Sequence, residues 1–124
     1  LKTKGYSAAL VTPTLEKLRA LGYADDGDFA RSWARSRAEG RGFGPARIEQ
    51  ELRAKGIDEP LIRSAISEIF TPGNESERAG RALRKKFRSE KLDDAKTLRR
   101  AAAFLQRRGY SETVILSLLR QHED

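Results

Sequence analysis

Apolar residues recur along this chain at intervals of three and four, and no stretch alternates with period two, so the pattern predicts helices and no sheet. A first helix is expected to end at Leu21 before Gly22. It starts either after Ser7 or at Thr12, where Pro13 suits the first helical position. A second runs from Asp25/Asp26 to about Glu39, with Phe29 and Trp33 on one face. Gly40-Arg41-Gly42-Phe43-Gly44 reads as a turn, and Pro45 opens a third helix that Gly56 stops. Asp58 caps a fourth, whose apolar stripe is Leu61, Ile62, Ala65, Ile66 and Ile69. Thr71-Pro72-Gly73-Asn74 is the linker signal. Asn74 is then expected to cap a helix reaching about Ser89, with Glu77 at the capping-box position. Two more cover about Asp94–Arg108 and the segment after Ser111, making seven.

One string occurs three times. Leu1-Lys2-Thr3-Lys4-Gly5-Tyr6-Ser7 is echoed by Leu52-Arg53-Ala54-Lys55-Gly56-Ile57-Asp58 and by Leu105-Gln106-Arg107-Arg108-Gly109-Tyr110-Ser111. Each copy has an inward leucine, basic residues against the negative end of the helix dipole, and a glycine where φ must turn positive. An apolar residue then packs back and a cap begins the next helix. Three copies at nearly constant spacing predict an all-α array of tandem three-helix repeats, two complete plus the tail of a first, elongated overall. The expected boundaries are 1–27 for the tail, 28–70 for the second repeat, 71–74 for the linker and 75–124 for the third. The expected cores are Phe29, Trp33, Ile48, Leu52, Ile62 and Ile66, then Leu83, Phe87, Leu98, Leu105, Ile115 and Leu118.

Composition narrows the chemistry. The 124 residues contain no cysteine and one histidine, His122, which excludes disulfides, thiol nucleophiles and cysteine zinc sites and leaves little for histidine cages. No apolar run is long enough for a membrane span, and no secretory core is present. The chain begins at Leu1 and reads as a fragment or processed piece of a cytoplasmic protein. Asp25/Asp26 and Asp93/Asp94 are paired carboxylates placed at expected helix starts, where capping accounts for them. The glycines of 40–44 lack the preceding strand and the lysine–hydroxyl ending of a phosphate loop. No catalytic set and no cofactor site emerge.

Charge is distributed unevenly. The net charge is +7, and residues 75–124 hold 13 basic against 8 acidic groups, so most of the excess lies in the last repeat. Arg78, Arg81, Lys85 and Arg88 follow one another at helical spacing, with Arg84 and Lys86 flanking them. Arg99 and Arg100 add charge on the following helix. A solvated face would interleave acids, whereas here Glu75 and Glu77 serve only the first turn, so the stripe points to an anionic partner. Arg31, Arg35 and Arg41 form a second, weaker basic set. The remaining reading is a plain solvated arginine surface.

These motifs also resemble a family. Lys4-Gly5-Tyr6, Leu18-x-x-x-Gly22-Tyr23-x-Asp25-Asp26 with Phe29-Ala30, Gly44-Pro45-x-x-Ile48-x-x-Glu51-Leu52-x-x-Lys55-Gly56-Ile57, and Phe104-Leu105-x-x-Arg108-Gly109-Tyr110-Ser111 are together similar to the RecX family of bacterial recombination regulators. The resemblance implies three tandem three-helix repeats and a non-enzymatic, monomeric protein without cofactor or membrane. It further implies binding to RecA recombinase filaments on DNA, directly or through the filament, and restraint of strand exchange and ATP hydrolysis. It carries over no catalytic residue; the basic positions come from the charge pattern alone. The alternative is a free-standing DNA-binding protein whose modules act like helix-turn-helix readers.

Overall fold

In the computed structural model, which describes residues 8–71 and 73–121, the helices are α1 (Ala8–Gly40), α2 (Pro45–Ala54), α3 (Glu59–Ile69), α4 (Asn74–Lys86), α5 (Ala95–Arg108) and α6 (Glu112–Arg120). No strand occurs among the described residues. The first copy of the repeated string and His122 lie outside them.

The helices pack as two groups of three. The C-terminal half of α1, with α2 and α3, encloses a core of Ala30, Ala34, Ala38, Phe43, Ile48, Leu52, Ile57, Ile62, Ala65, Ile66 and Ile69. Helices α4, α5 and α6 enclose Ala79, Leu83, Phe87, Ala101, Phe104, Leu105, Tyr110, Ile115, Leu118 and Leu119. In each group the third helix packs on both others. Phe70, just past α3, is half-buried and touches both cores. Most of the expected core is buried, and Leu98 packs at its edge.

The two described corners share one geometry. At the first, Gly56 has φ +82°, Ile57 N–H donates to Leu52 C=O at 3.1 Å, and Gly56 N–H donates to Arg53 C=O at 3.0 Å. At the second, Gly109 has φ +97°, Tyr110 N–H donates to Leu105 C=O at 3.1 Å, and Gly109 N–H donates to Gln106 C=O at 3.0 Å. Both are Schellman motifs, in which only glycine takes the left-handed position without strain. Ile57 and Tyr110 are then buried over their own corners.

Several expectations need correction. The two helices expected on either side of Gly22 are one continuous helix, α1, and the described helices number six. Gly22 has a negative φ and nothing within 4 Å of where a Cβ would stand, so it neither turns nor packs. Asp25 and Asp26 therefore lie inside α1 and cap nothing. Phe29 is 40% exposed, because α1 turns its small residues Gly27, Ala30, Ala34 and Ala38 inward and leaves the aromatic stripe at the rim. Helix α4 ends at Lys86, so Arg88 stands in the turn that follows.

Caps differ in mechanism as well. Asp94 and Ser111 cap by accepting from Thr97 N–H at 2.7 Å and Val114 N–H at 3.3 Å. The Thr97 N–H holds the Asp94 carboxyl below its usual pKa. Asp58 occupies its N-cap position without a side-chain bond. Asn74 lies within α4, where its amide ties the linker by accepting from Thr71 N–H at 2.9 Å and donating to Ile69 C=O at 2.6 Å.

Candidate anion-binding cleft

The two three-helix groups meet backbone to backbone. The turn after α1 reaches the corner after α5, where Gly44 N–H donates to Arg108 C=O at 2.6 Å and Ala46 N–H donates to Gly109 C=O at 2.9 Å. Side chains brace the same joint. Tyr110 donates its hydroxyl to Gly42 C=O at 2.7 Å, Arg108 donates Nη1–H to Arg41 C=O at 2.5 Å, and Arg47 donates Nη1–H to Arg107 C=O at 3.2 Å. Arg108 also lies 4.7 Å from the Phe104 ring centroid, which holds its guanidinium over the α4–α6 core.

This joint opens into a cleft of about 540 Å³. The end of α1 and its turn contribute Ala38, Glu39 and Arg41; α4 contributes Arg78, Arg81, Ala82, Lys85 and Lys86; Phe104, Arg108 and Tyr110 come from the α5 side. Six cations thus surround one carboxylate. Burial pushes the Tyr110 hydroxyl up to about 12, against the opposing pull of the nearby Arg78, Arg108 and Arg81 charges.

The candidate basic residues divide accordingly. Arg41, Arg78, Arg81 and Lys85 are brought together at the cleft. Arg84 and Arg88 line a different depression of about 450 Å³ with Leu83, Phe87, Glu90 and Leu92. Arg100 is held by Glu90 at 2.7 Å and lies 5.4 Å from the Phe87 ring centroid, a structural role. Arg99 is exposed on α5 away from the cleft, Arg35 is exposed on α1, and Arg31 pairs with Asp28 one turn earlier. Lys86, which the charge pattern placed only at the flank of the stripe, and Arg108, which it did not include, both belong to the cleft. Arg108 was legible only as a dipole-compensating residue of the repeated corner.

A second cluster gathers cations on aromatics. Trp33 donates Nε1–H to Glu51 at 2.9 Å, with Arg37 and Lys55 at 4.2 Å and 4.3 Å from its ring centroid and Phe29 stacked at 5.6 Å. Arg37 Nε stands 3.3 Å from Glu51 Oε1, at ion-pair distance though out of hydrogen-bond alignment. With its indole N–H and faces engaged, Trp33 fastens α1 to α2. No group of three His, Cys, Asp or Glu side chains among the described residues could hold a metal ion, and no helix among them is long and apolar enough to cross a membrane.

Two like-built three-helix units, joined through their corners around a basic cleft, define a tandem helical-repeat protein. Family models for the second and third three-helix domains of RecX match residues 25–66 and 74–119. The chain is 40% identical over 124 residues to the Regulatory protein RecX of Mycobacterium sp. (strain JLS), covering 96% of this chain and 67% of that protein. It is 40% identical over 121 residues to that of Mycobacterium leprae (strain Br4923), covering 96% and 70%. The corresponding Mycobacterium ulcerans protein is 41% identical over 116 residues, covering 92% and 66%. The chain belongs to the RecX family.

Proposed function

We propose that this chain is a non-enzymatic regulator of a RecA-type recombinase. It docks as a monomer in the cytoplasm on the recombinase filament assembled on DNA, and restrains strand exchange and ATP hydrolysis. Membership of the RecX family supports the regulatory role. The observation that carries the docking mode is the cleft, where cations from both three-helix groups converge around a single carboxylate. Residues 1–27 belong in this reading to a preceding repeat, supported by the exposed Leu18, Leu21 and Tyr23 on the N-terminal half of α1.

The test is co-sedimentation with recombinase filaments on single-stranded DNA, run beside naked DNA and free recombinase, with strand exchange followed in parallel. The expected result is stronger retention on filaments than on either component, with inhibition of exchange. Replacing Arg78, Arg81, Lys85 and Arg88 with serine should leave helicity nearly intact and flatten the salt dependence of binding by roughly two to three units, at ~0.7 per single-strand phosphate. Wild-type inhibition and an unchanged salt slope in that variant would reduce the stripe to a solvated surface. Equal binding to bare DNA would favour the free-standing DNA-binding reading.

A further inference from the structure

Cations without a carboxylate partner among the described residues occur elsewhere too, Arg35, Arg84 and Arg88 among them, but the cleft brings six of them together in one place. Arg31, Arg37, Arg47, Arg53 and Arg100 each have a carboxylate partner. Among the described residues, none of Arg41, Arg78, Arg81, Lys85, Lys86 and Arg108 does. Helix dipoles account for part of this, since Lys85, Lys86 and Arg108 lie in last turns. They do not account for Arg78, nearer the positive end of α4, for Arg81, outside its last turn, or for Arg41, beyond the end of α1.

Resting on the filament-binding reading, we infer that the cleft is a composite site for the sugar–phosphate backbone of nucleic acid, assembled only while Gly44 and Gly109 hold the two three-helix groups together. At about 540 Å³ it is far larger than one phosphate needs. Arg78, Arg81 and Lys85 rise along α4 in steps of roughly 5 Å, which suits a ligand whose negative charge repeats along its length. Four of the six cations are arginines, whose planar forks take phosphate oxygens in pairs. Arg108 has one N–H committed to Arg41 C=O at 2.5 Å, so its fork is held in place, and its other donors have no partner among the described residues. The floor favours phosphate over an acidic peptide. Ala38, Phe104 and Tyr110 are only 6%, 6% and 4% exposed, leaving little for the apolar anchor on which peptide grooves depend. The same flat floor offers no ring on which to stack a base, so binding is to the backbone and independent of sequence.

Gly44 is a positioning residue. Its φ −90° and ψ 178° suit any amino acid. A Cβ there would nevertheless stand 2.7 Å from Gly109 C, Gly109 O and Tyr110 N, all of them backbone. The three atoms nearest an alanine Cβ at 44 thus all belong to the other helical group, which must move away. Arg41 would then part from the α4 cations.

The chain has no cysteine, so Ser32→Cys and Ser117→Cys place two unique spin labels on exposed positions of α1 and α6. Their distance distribution is measured alongside binding of a fluorescein-labelled oligothymidylate over a salt series, with no recombinase present. Gly44→Ala should shift or broaden the distribution and weaken oligothymidylate binding several-fold, with helicity unchanged. Arg41→Ser should keep the wild-type distance, weaken binding, and lower the logarithmic salt slope by about 0.7. Unchanged affinity and slope in Arg41→Ser would remove Arg41 from the site. An unchanged distance distribution in Gly44→Ala, or a changed one with undiminished binding, would remove the assembly role. Poly-glutamate bound as tightly as oligothymidylate would replace the nucleic-acid backbone by an acidic peptide. No oligothymidylate binding by the wild-type chain overturns this inference while leaving filament regulation to its own assay; binding without any effect on filaments does the reverse.

Discussion

Trp33 is fixed by partners on every side, whereas its neighbour Phe29, 40% exposed, rests on it from the rim. Trp33→Ala removes a hydrogen bond to Glu51, two cation–π contacts and packing against the α1–α3 core, and should cost about 3 kcal/mol in urea unfolding. Phe29→Ala should cost about 1 kcal/mol, since much of its ring is already in water. Equal losses at the two sites would mean that the tryptophan's polar partners contribute nothing. Spacing alone placed both rings on one face of α1. It could not choose between that face and the adjacent one bearing Gly27, Ala30, Ala34 and Ala38, because both recur at helical intervals. Hydrophobicity favours the larger side chains, but small ones let α3 approach α1 closely, and such a choice is settled only by the partner helix.

At the scale of elements, glycine has opposite meanings at Gly22 and Gly56. Both follow a helical stretch and precede an apolar residue and an acid, so the sequence gives them nearly the same grammar. At Gly56 the backbone turns left-handed and closes a Schellman motif; at Gly22 the helix runs through. Arg19 stands three residues before Gly22 as Arg53 does before Gly56, but the residue next to the glycine is basic at the true corners, Lys55 and Arg108, and is Leu21 at Gly22. That difference was visible and supplies part of the distinction through the helix dipole. Gly22→Ala should therefore stabilise the protein by about 0.5–1 kcal/mol, as for an exposed helix-interior glycine with open space at Cβ. Gly56→Ala should destabilise it by about 1 kcal/mol, because φ +82° strains an L side chain. Paired thermal melts of the two variants check both signs, and a loss at Gly22 would restore the two-helix description of this segment.

At the scale of the whole molecule, the tandem helical plan was legible in the repeated corner, but the contact joining the two groups was not. Its two sides, Gly42 to Ala46 and Arg107 to Tyr110, are more than sixty residues apart. Each has a sufficient local explanation, a turn in one case and a helix stop in the other. Tyr110 shows what the contact adds. Its place in the corner predicts a residue folded back on its own helix, yet its hydroxyl donates across the joint to Gly42 C=O at 2.7 Å. Only the neutral phenol can donate, and burial pushes its pKa up to about 12, with Arg78, Arg108 and Arg81 pulling the other way and Glu75 reinforcing the rise. An acid with a folded pKa above its unfolded value contributes stability that is whole below about pH 10 and is lost as the pH rises from about 10 through about 12. Tyr110→Phe keeps the ring and deletes the hydroxyl, so at neutral pH it should cost about 1 kcal/mol for the lost bond to a partly buried carbonyl. Denaturant unfolding of the two proteins at about pH 8 and about pH 11 should show that deficit shrinking or reversing, because at the higher pH the unfolded wild type gains by ionising its phenol while the folded protein keeps it neutral. Lysine deprotonation acts on both chains alike and drops out of the difference. A deficit that stays constant across that range would mean that the hydroxyl is solvated and that the joint is held by its backbone bonds alone.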